Sequence, residues 1–142
     1  MALAVERWNL HKRVALNILA RTGTDGKRLI GGFMLVAALL SMWMTNTSTT
    51  MMLLPIAISV VTVVLSNVQD VDKQSQNNFQ VAMLLGLAFA ATIGGLATLI
   101  GTPPNALLAA FLKENYAIEI SFFDWMLVGV PLTAVMLPTA WI

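Results

Sequence analysis

The chain has 142 residues, 58% of them hydrophobic and 11% charged, with a formal net charge of +1 and a mean hydropathy of +0.79. Soluble domains carry about 25% charged residues, so the composition excludes an ordinary soluble domain and points to a membrane protein, with nothing that suggests nucleic-acid binding. Cysteine is absent, which excludes disulfides, thiolate chemistry and cysteine metal sites.

Charge is also segregated: none falls in 29–69, 74–112 or 125–142. A soluble core helix would show a charged face every three or four residues, and none of these runs does. At the amino end no short apolar segment leads to a small-residue cleavage site, so no signal peptide is expected. Met1-Ala2-Leu3-Ala4-Val5 looks like the tail of a longer apolar helix. Residues 1–28 hold Arg7, Lys12, Arg13, Arg21, Lys27 and Arg28 against Glu6 and Asp25, which places this end on the cytoplasmic side. From Leu10 to Leu19 apolar residues mix with Lys12, Arg13 and Asn17, predicting a short helix at the membrane interface; a plain cytoplasmic connector helix is the alternative. His11, the single histidine, reads as a solvated surface residue.

The run 29–69 would be about 61 Å long as one straight helix, about twice the hydrocarbon core of a bilayer. At its middle stand Thr45-Asn46-Thr47-Ser48-Thr49-Thr50, where the segment should fold back. The arms 29–44 and 51–66 are each about 24 Å as helix, short of a full crossing. This favours a re-entrant helical hairpin, with its tip covered by protein or a wet cavity. An ordinary pair of spanning helices with a tight polar turn is the alternative. Pro55 then lies early in the return arm, where a helix start tolerates it. The hydroxyls could each bond back to a carbonyl four residues earlier and merely bend a helix; six small polar residues in succession argue for more than that. Met42, Met44, Met51 and Met52 read as adaptable packing around the tip.

Residues 70–78 read as a polar loop. The run 79–112 that follows cannot be one helix: Pro103 and Pro104 lack amide hydrogens and disfavour helix in the residue before each. Gly94, Gly95 and Gly101 add backbone freedom. A discontinuous transmembrane helix is predicted, about 79–93 and then 104–112. The segment 113–124, with Lys113 against Glu114, Glu119 and Asp124, suits the outer face. A further transmembrane helix is expected within 122–142, with Trp125 as an interface anchor. The fold class is thus an all-α membrane protein.

No catalytic constellation is present, and no acid lies inside an apolar run, so neither an enzyme nor a buried proton relay is expected. What remains are neutral ligands around two backbone breaks. Freed carbonyls with hydroxyl and amide oxygens suit a hard cation such as Na⁺, and half-helix amino ends suit an anion. Both together are the arrangement of secondary transporters.

Glu6-Arg7-Trp8-Asn9-Leu10-His11, Ser41-Met42-Trp43-Met44-Thr45-Asn46-Thr47 and Met51-Met52-Leu53-Leu54-Pro55 resemble the divalent anion:sodium symporter family. So does Ile93-Gly94-Gly95-Leu96-Ala97-Thr98-Leu99-Ile100-Gly101-Thr102-Pro103-Pro104-Asn105, and the likeness covers essentially the whole chain. The resemblance implies a sodium-coupled carrier of small di- or tricarboxylates, succinate-like, in a bacterial-type inner membrane, with no cofactor beyond Na⁺ as coupling ion. It implies that Ser41, Thr45 and Asn46, with backbone around Gly94 and Gly95, bind sodium. Asn46 and Thr47 would contact a substrate carboxylate, facing a loop shaped by Thr102, Pro103 and Asn105. Thr45 stands where the family usually has serine, keeping the hydroxyl and adding a methyl. Family members carry two inverted repeats and work as homodimers; one hairpin and one broken helix are found here, so the chain reads as a fragment matching the inner part of the first repeat. Sulfate or another anion as cargo, and a non-transporting membrane subunit, are the alternatives.

Overall fold

The computed structural model describes residues 25–67 and 72–142. These form α1 (Gly26–Ser41), α2 (Asn46–Asn67), α3 (Lys73–Leu96), α4 (Pro103–Tyr116) and α5 (Phe122–Trp141), with no strand among the described residues. The interfacial helix expected within 1–28 falls almost wholly outside them.

The apolar spacing decides the packing. Leu29, Phe33 and Val36 on α1, Leu53, Ala57 and Val61 on α2, and Met83, Leu87 and Ala90 on α3 form one buried cluster. Each set recurs at three or four residues, one helical face. α3 is the hub, packing most extensively on α1 and also against α2 and α5, while α4 lies along none of them extensively. At the α1–α3 crossing a Cβ on Gly94 would run into the Ala38 backbone. Small residues permit this approach, as at helix contacts within membranes generally. The outward faces are apolar too: Leu39, Val63, Leu85, Phe89, Leu127 and Val135 are all exposed. Three helices, Asn46–Leu65, Lys73–Leu96 and Phe122–Trp141, are long and apolar enough to cross a membrane. Helices apolar both inside and out belong in lipid or against further apolar protein, and the chain is a membrane protein.

The element bounds differ instructively from those expected. The turn between α1 and α2 is only 42–45, and the polar residues 46–50 are the first turn of α2 rather than a loop. Thr45 explains this by capping: its carbonyl accepts the Thr49 N–H at 3.0 Å as the first intrahelical bond, and its Oγ1 accepts the Ser48 N–H at 3.3 Å, an amide that a helix start leaves open. α2 therefore has 22 residues, about 33 Å, so the argument from short arms holds for α1 and not for α2. Pro55 sits inside α2, not at its start, and removes the donor that the Met51 carbonyl would otherwise have.

α3 begins earlier than expected, at Lys73, and runs through Gly94 and Gly95 to Leu96. Two glycines cost a helix about 1 kcal/mol each relative to alanine; their close contacts with α1 and α2 override that preference. The break itself, 97–102, is set by the prolines. Thr102 is extended, with φ −144° and ψ 141°, and Pro103 and Pro104 open α4, where their missing amides are harmless. α4 ends at Ala117, in the left-handed region at φ 54°. Beyond it, Lys113 and Glu119 pair at 2.8 Å; hydrogen bonding to Lys113, and then its charge, holds the Glu119 carboxyl below its usual range. α5 starts with Ser121 and Asp124 capping each other's backbone amides, the reciprocal arrangement that fixes a helix start.

Candidate functional site

Both interruptions meet in space. At the tip, Ser41 ends α1 and Asn46 begins α2; the fully buried Ser41 donates its hydroxyl to Asn46 Oδ1 at 2.7 Å. Gly95 near the end of α3 lies directly beneath that carboxamide, so close that a Cβ there would collide with Asn46 Oδ1. From the other side Asn105, in the first turn of α4, donates from Nδ2 to the Gly95 carbonyl at 3.0 Å and to the Thr98 carbonyl at 2.8 Å. Gly95 is thus held between two asparagines, one from each helix that restarts after a break.

Two further clamps fix this geometry. The buried Thr98 hydroxyl donates to the Met42 carbonyl at 2.5 Å, tying break to tip, and accepts the Gly101 N–H at 3.1 Å. Behind the break, α5 presents Trp125, Gly129 and Thr133 on one face. Trp125 Nε1 donates to the Leu96 carbonyl at 3.0 Å and Thr133 to the Ile93 carbonyl at 3.2 Å. A side chain at Gly129 would strike the Leu96 and Ala97 carbonyls. The expected interface anchor, Trp125, therefore spends its indole N–H on the end of α3.

The electrostatics follow from helix ends alone. α1 and α3 end at this cluster with no basic residue in their last turns. α2 and α4 begin there with no acidic residue in their first turns. Partial negative charge from two carboxyl ends and partial positive charge from two amino ends thus meet with no charged side chain in those turns to offset them. Such a place can hold a cation against carbonyl and hydroxyl oxygens and an anion against free amides. Among the described residues no cluster of histidine, cysteine or carboxylate side chains could hold a metal ion, so the ligands on offer are neutral.

The residues singled out from sequence fare unequally. Ser41, Asn46 and Gly95 are brought together. Gly94 serves the α1–α3 crossing instead, and its carbonyl accepts the Ala97 N–H at 3.1 Å. Thr45 is exposed, and its hydroxyl donates to Ser48 Oγ at 2.9 Å rather than to the Ser41–Asn46 pair. Thr47 is exposed in the first turn of α2, Thr102 is half-buried and Pro103 exposed at the start of α4. Asn105 is buried and its amide hydrogens are used within the break, which makes it the staple of the loop. Sequence reasoning missed Thr98, Gly129 and Thr133. The four-residue spacing of Trp125, Gly129 and Thr133 was a legible signal, since it puts all three on one helix face. An apolar cavity of about 580 Å³ lies away from the cluster, lined by Lys27, Ile30, Met34, Gly86, Phe89 and Trp141, and shares no residue with it.

Comparison with known proteins gives this geometry its context. The family model described as "Citrate transporter" matches residues 1–142. The chain is 41% identical over 143 residues to the sodium-dependent dicarboxylate transporter SdcS of Staphylococcus saprophyticus. It is 37% identical over 147 residues to SdcS of Staphylococcus aureus strain USA300. Each alignment takes in 100% of this chain and 28% of the relative's length. The family is one of transporters and not of enzymes. With the whole chain matched and the paired helix breaks in place, the protein belongs to the citrate transporter family.

Proposed function

We propose that this chain is part of a carrier that moves small di- or tricarboxylates, succinate-like, across the inner membrane together with Na⁺, and that it contributes one sodium site and one wall of the substrate site. The observation that carries the reading is the meeting of four helix ends at Ser41, Asn46 and Gly95. Two carboxyl ends favour a cation and two amino ends favour the anion beside it. Ser41 Oγ and Asn46 Oδ1 lie 2.7 Å apart and can both turn lone pairs to one ion, with Thr45 and the backbone around Gly94 and Gly95 nearby. Asn46 and Thr47 then offer the amide end of α2 to a substrate carboxylate. Thr102 and Pro103, at the start of α4 and braced by Asn105, shape the opposing wall.

In this reading α1 and α2 form a re-entrant hairpin and α3 with α4 a broken spanning helix. The Thr98–Met42 hydrogen bond seats the tip of one against the break of the other. The relatives carry about three and a half times this length, so the second half of the substrate site and the pairing of two copies belong to the full-length protein. The relatives' name, sodium-dependent dicarboxylate transporter, supports the choice of ion and cargo.

The test is uptake of labelled succinate by the full-length protein in sodium and in choline medium. Sodium-dependent uptake that falls about 10- to 100-fold in Asn46→Ala is expected, the loss that goes with a hydrogen bond to a charged group. Uptake indifferent to sodium, or untouched by that substitution, overturns the assignment. Competition by sulfate measures the cargo directly: succinate displaces the label and sulfate does not.

A further inference from the structure

One buried hydroxyl near the tip has no partner. Thr49 is fully buried, and its Oγ1 makes no hydrogen bond. Several other helical hydroxyls find the carbonyl four residues back: Thr50 bonds Asn46, Ser59 bonds Pro55, Thr62 bonds Ile58 and Thr92 bonds Ala88. Thr49 does not, although the Thr45 carbonyl stands in the equivalent place and accepts its N–H. Leaving a hydroxyl buried and unpaired costs about 1–3 kcal/mol, and such an atom in a native structure calls for an occupant that answers it.

Its position says what that occupant is. Thr49 follows Asn46 by three residues, so the two share a face of the first turn of α2, and helical side chains lean toward the amino end. That face is the buried one, continued by Leu53, Ala57 and Val61. Thr49 thus stands one turn from Asn46, on the face that bears the carboxamide bonded to Ser41, where the carboxyl end of α1 supplies negative potential. The Thr45 hydroxyl is meanwhile bonded to Ser48 Oγ rather than to the Ser41–Asn46 pair.

We propose that Thr49 Oγ1 is a further ligand of the coupling cation, completing with Ser41 and Asn46 the oxygen set at the tip; this rests on the sodium-site reading above. The hydroxyl stays unpaired within the protein because its lone pairs face the ion.

The test is thermal unfolding of the purified full-length protein, titrated with NaCl at ionic strength held constant by choline chloride, for wild type, Thr49→Val, Thr49→Ala and Thr49→Ser. Wild type and Thr49→Ser are expected to be stabilised by sodium at similar concentrations. Thr49→Val and Thr49→Ala should need about tenfold more sodium for the half-maximal shift, as for the loss of one good polar interaction. Without sodium, Thr49→Val should unfold at or above the wild-type temperature, because the group removed had no partner; a purely structural hydroxyl gives the opposite sign. If wild type responds to sodium and both Thr49→Val and Thr49→Ala titrate as it does, the hydroxyl is not a ligand and the proposal falls alone. If wild type itself shows no sodium response, the sodium site falls with it.

Discussion

Asn46 shows how much one side chain carries here. Its Oδ1 accepts the Ser41 hydroxyl at 2.7 Å, its flank rests on Gly95, and its position starts α2. Gly95 is glycine because nothing larger fits beneath that carboxamide. Gly95→Ala is expected to push Asn46 off its seat and reduce sodium-dependent uptake at least as much as Ser41→Ala, while leaving protein yield intact. Sodium titration of uptake checks this; a Gly95→Ala carrier with wild-type sodium affinity would show that the close approach has no part in ion binding. Asn105 behaves differently. Both of its amide donations close the break on itself, so Asn105→Leu is expected to destabilise the protein by about 1–3 kcal/mol through unpaired carbonyls. Its thermal unfolding temperature should fall even without sodium.

At the scale of elements, α3 is held at both ends of its last turn. Gly94 lets it touch the Ala38 backbone, and the clash a Cβ would meet is with main chain rather than a movable side chain. Gly94→Val should therefore force α1 and α3 apart. Overpacking of this kind costs about 1–3 kcal/mol, occasionally more, and the fall in unfolding temperature should exceed that of Gly95→Ala. On the opposite side α5 donates Trp125 to the Leu96 carbonyl and Thr133 to the Ile93 carbonyl. Trp125→Phe keeps the ring and removes the donor, so a loss of about 0.5–1.5 kcal/mol is expected, read as a lower unfolding temperature with sodium affinity little changed. The connection after α4 offers the reverse case. Ala117 occupies the left-handed region at φ 54°, where a Cβ costs about 1–2 kcal/mol, so Ala117→Gly should raise stability slightly and leave transport unaltered.

For the whole molecule, the apolar exterior and the three long apolar helices make lipid or further transmembrane protein the natural surroundings. The chain spans 28% of the length of the relatives it matches, and in the proposed reading the cluster at the tip is one wall of a site. If sodium binds this fold and not the unfolded chain, it adds stability as the logarithm of its concentration over Kd. That is about 2.7 kcal/mol at one hundred times Kd. Because the ligands named at the cluster are hydroxyl, carboxamide and carbonyl oxygens, none of which titrates near neutrality, their contribution to sodium binding should be the same at pH 6 and pH 8. A sodium-induced shift that changes severalfold between those values would require an ionisable ligand.

What the sequence determined by itself is the class of protein, the existence of two interruptions and the family. Those follow from local facts: the charge-free runs at 29–69, 74–112 and 125–142, the paired prolines that force Thr102 out of helix, and the motifs around Asn46 and Gly95. Tertiary structure alone decided where each helix stops. Gly94 and Gly95 stay helical because Ala38 and Asn46 press against them, a contact between residues about fifty positions apart that no local propensity records. It also decided how each hydroxyl is used. Thr45, Thr47, Thr49 and Thr50 are chemically alike and nearly adjacent, yet one caps a helix, one is exposed, one is buried unpaired and one bonds back to Asn46. A helix turns about 100° per residue, so the way each hydroxyl faces depends on where α2 begins and what α1 and α3 place against it.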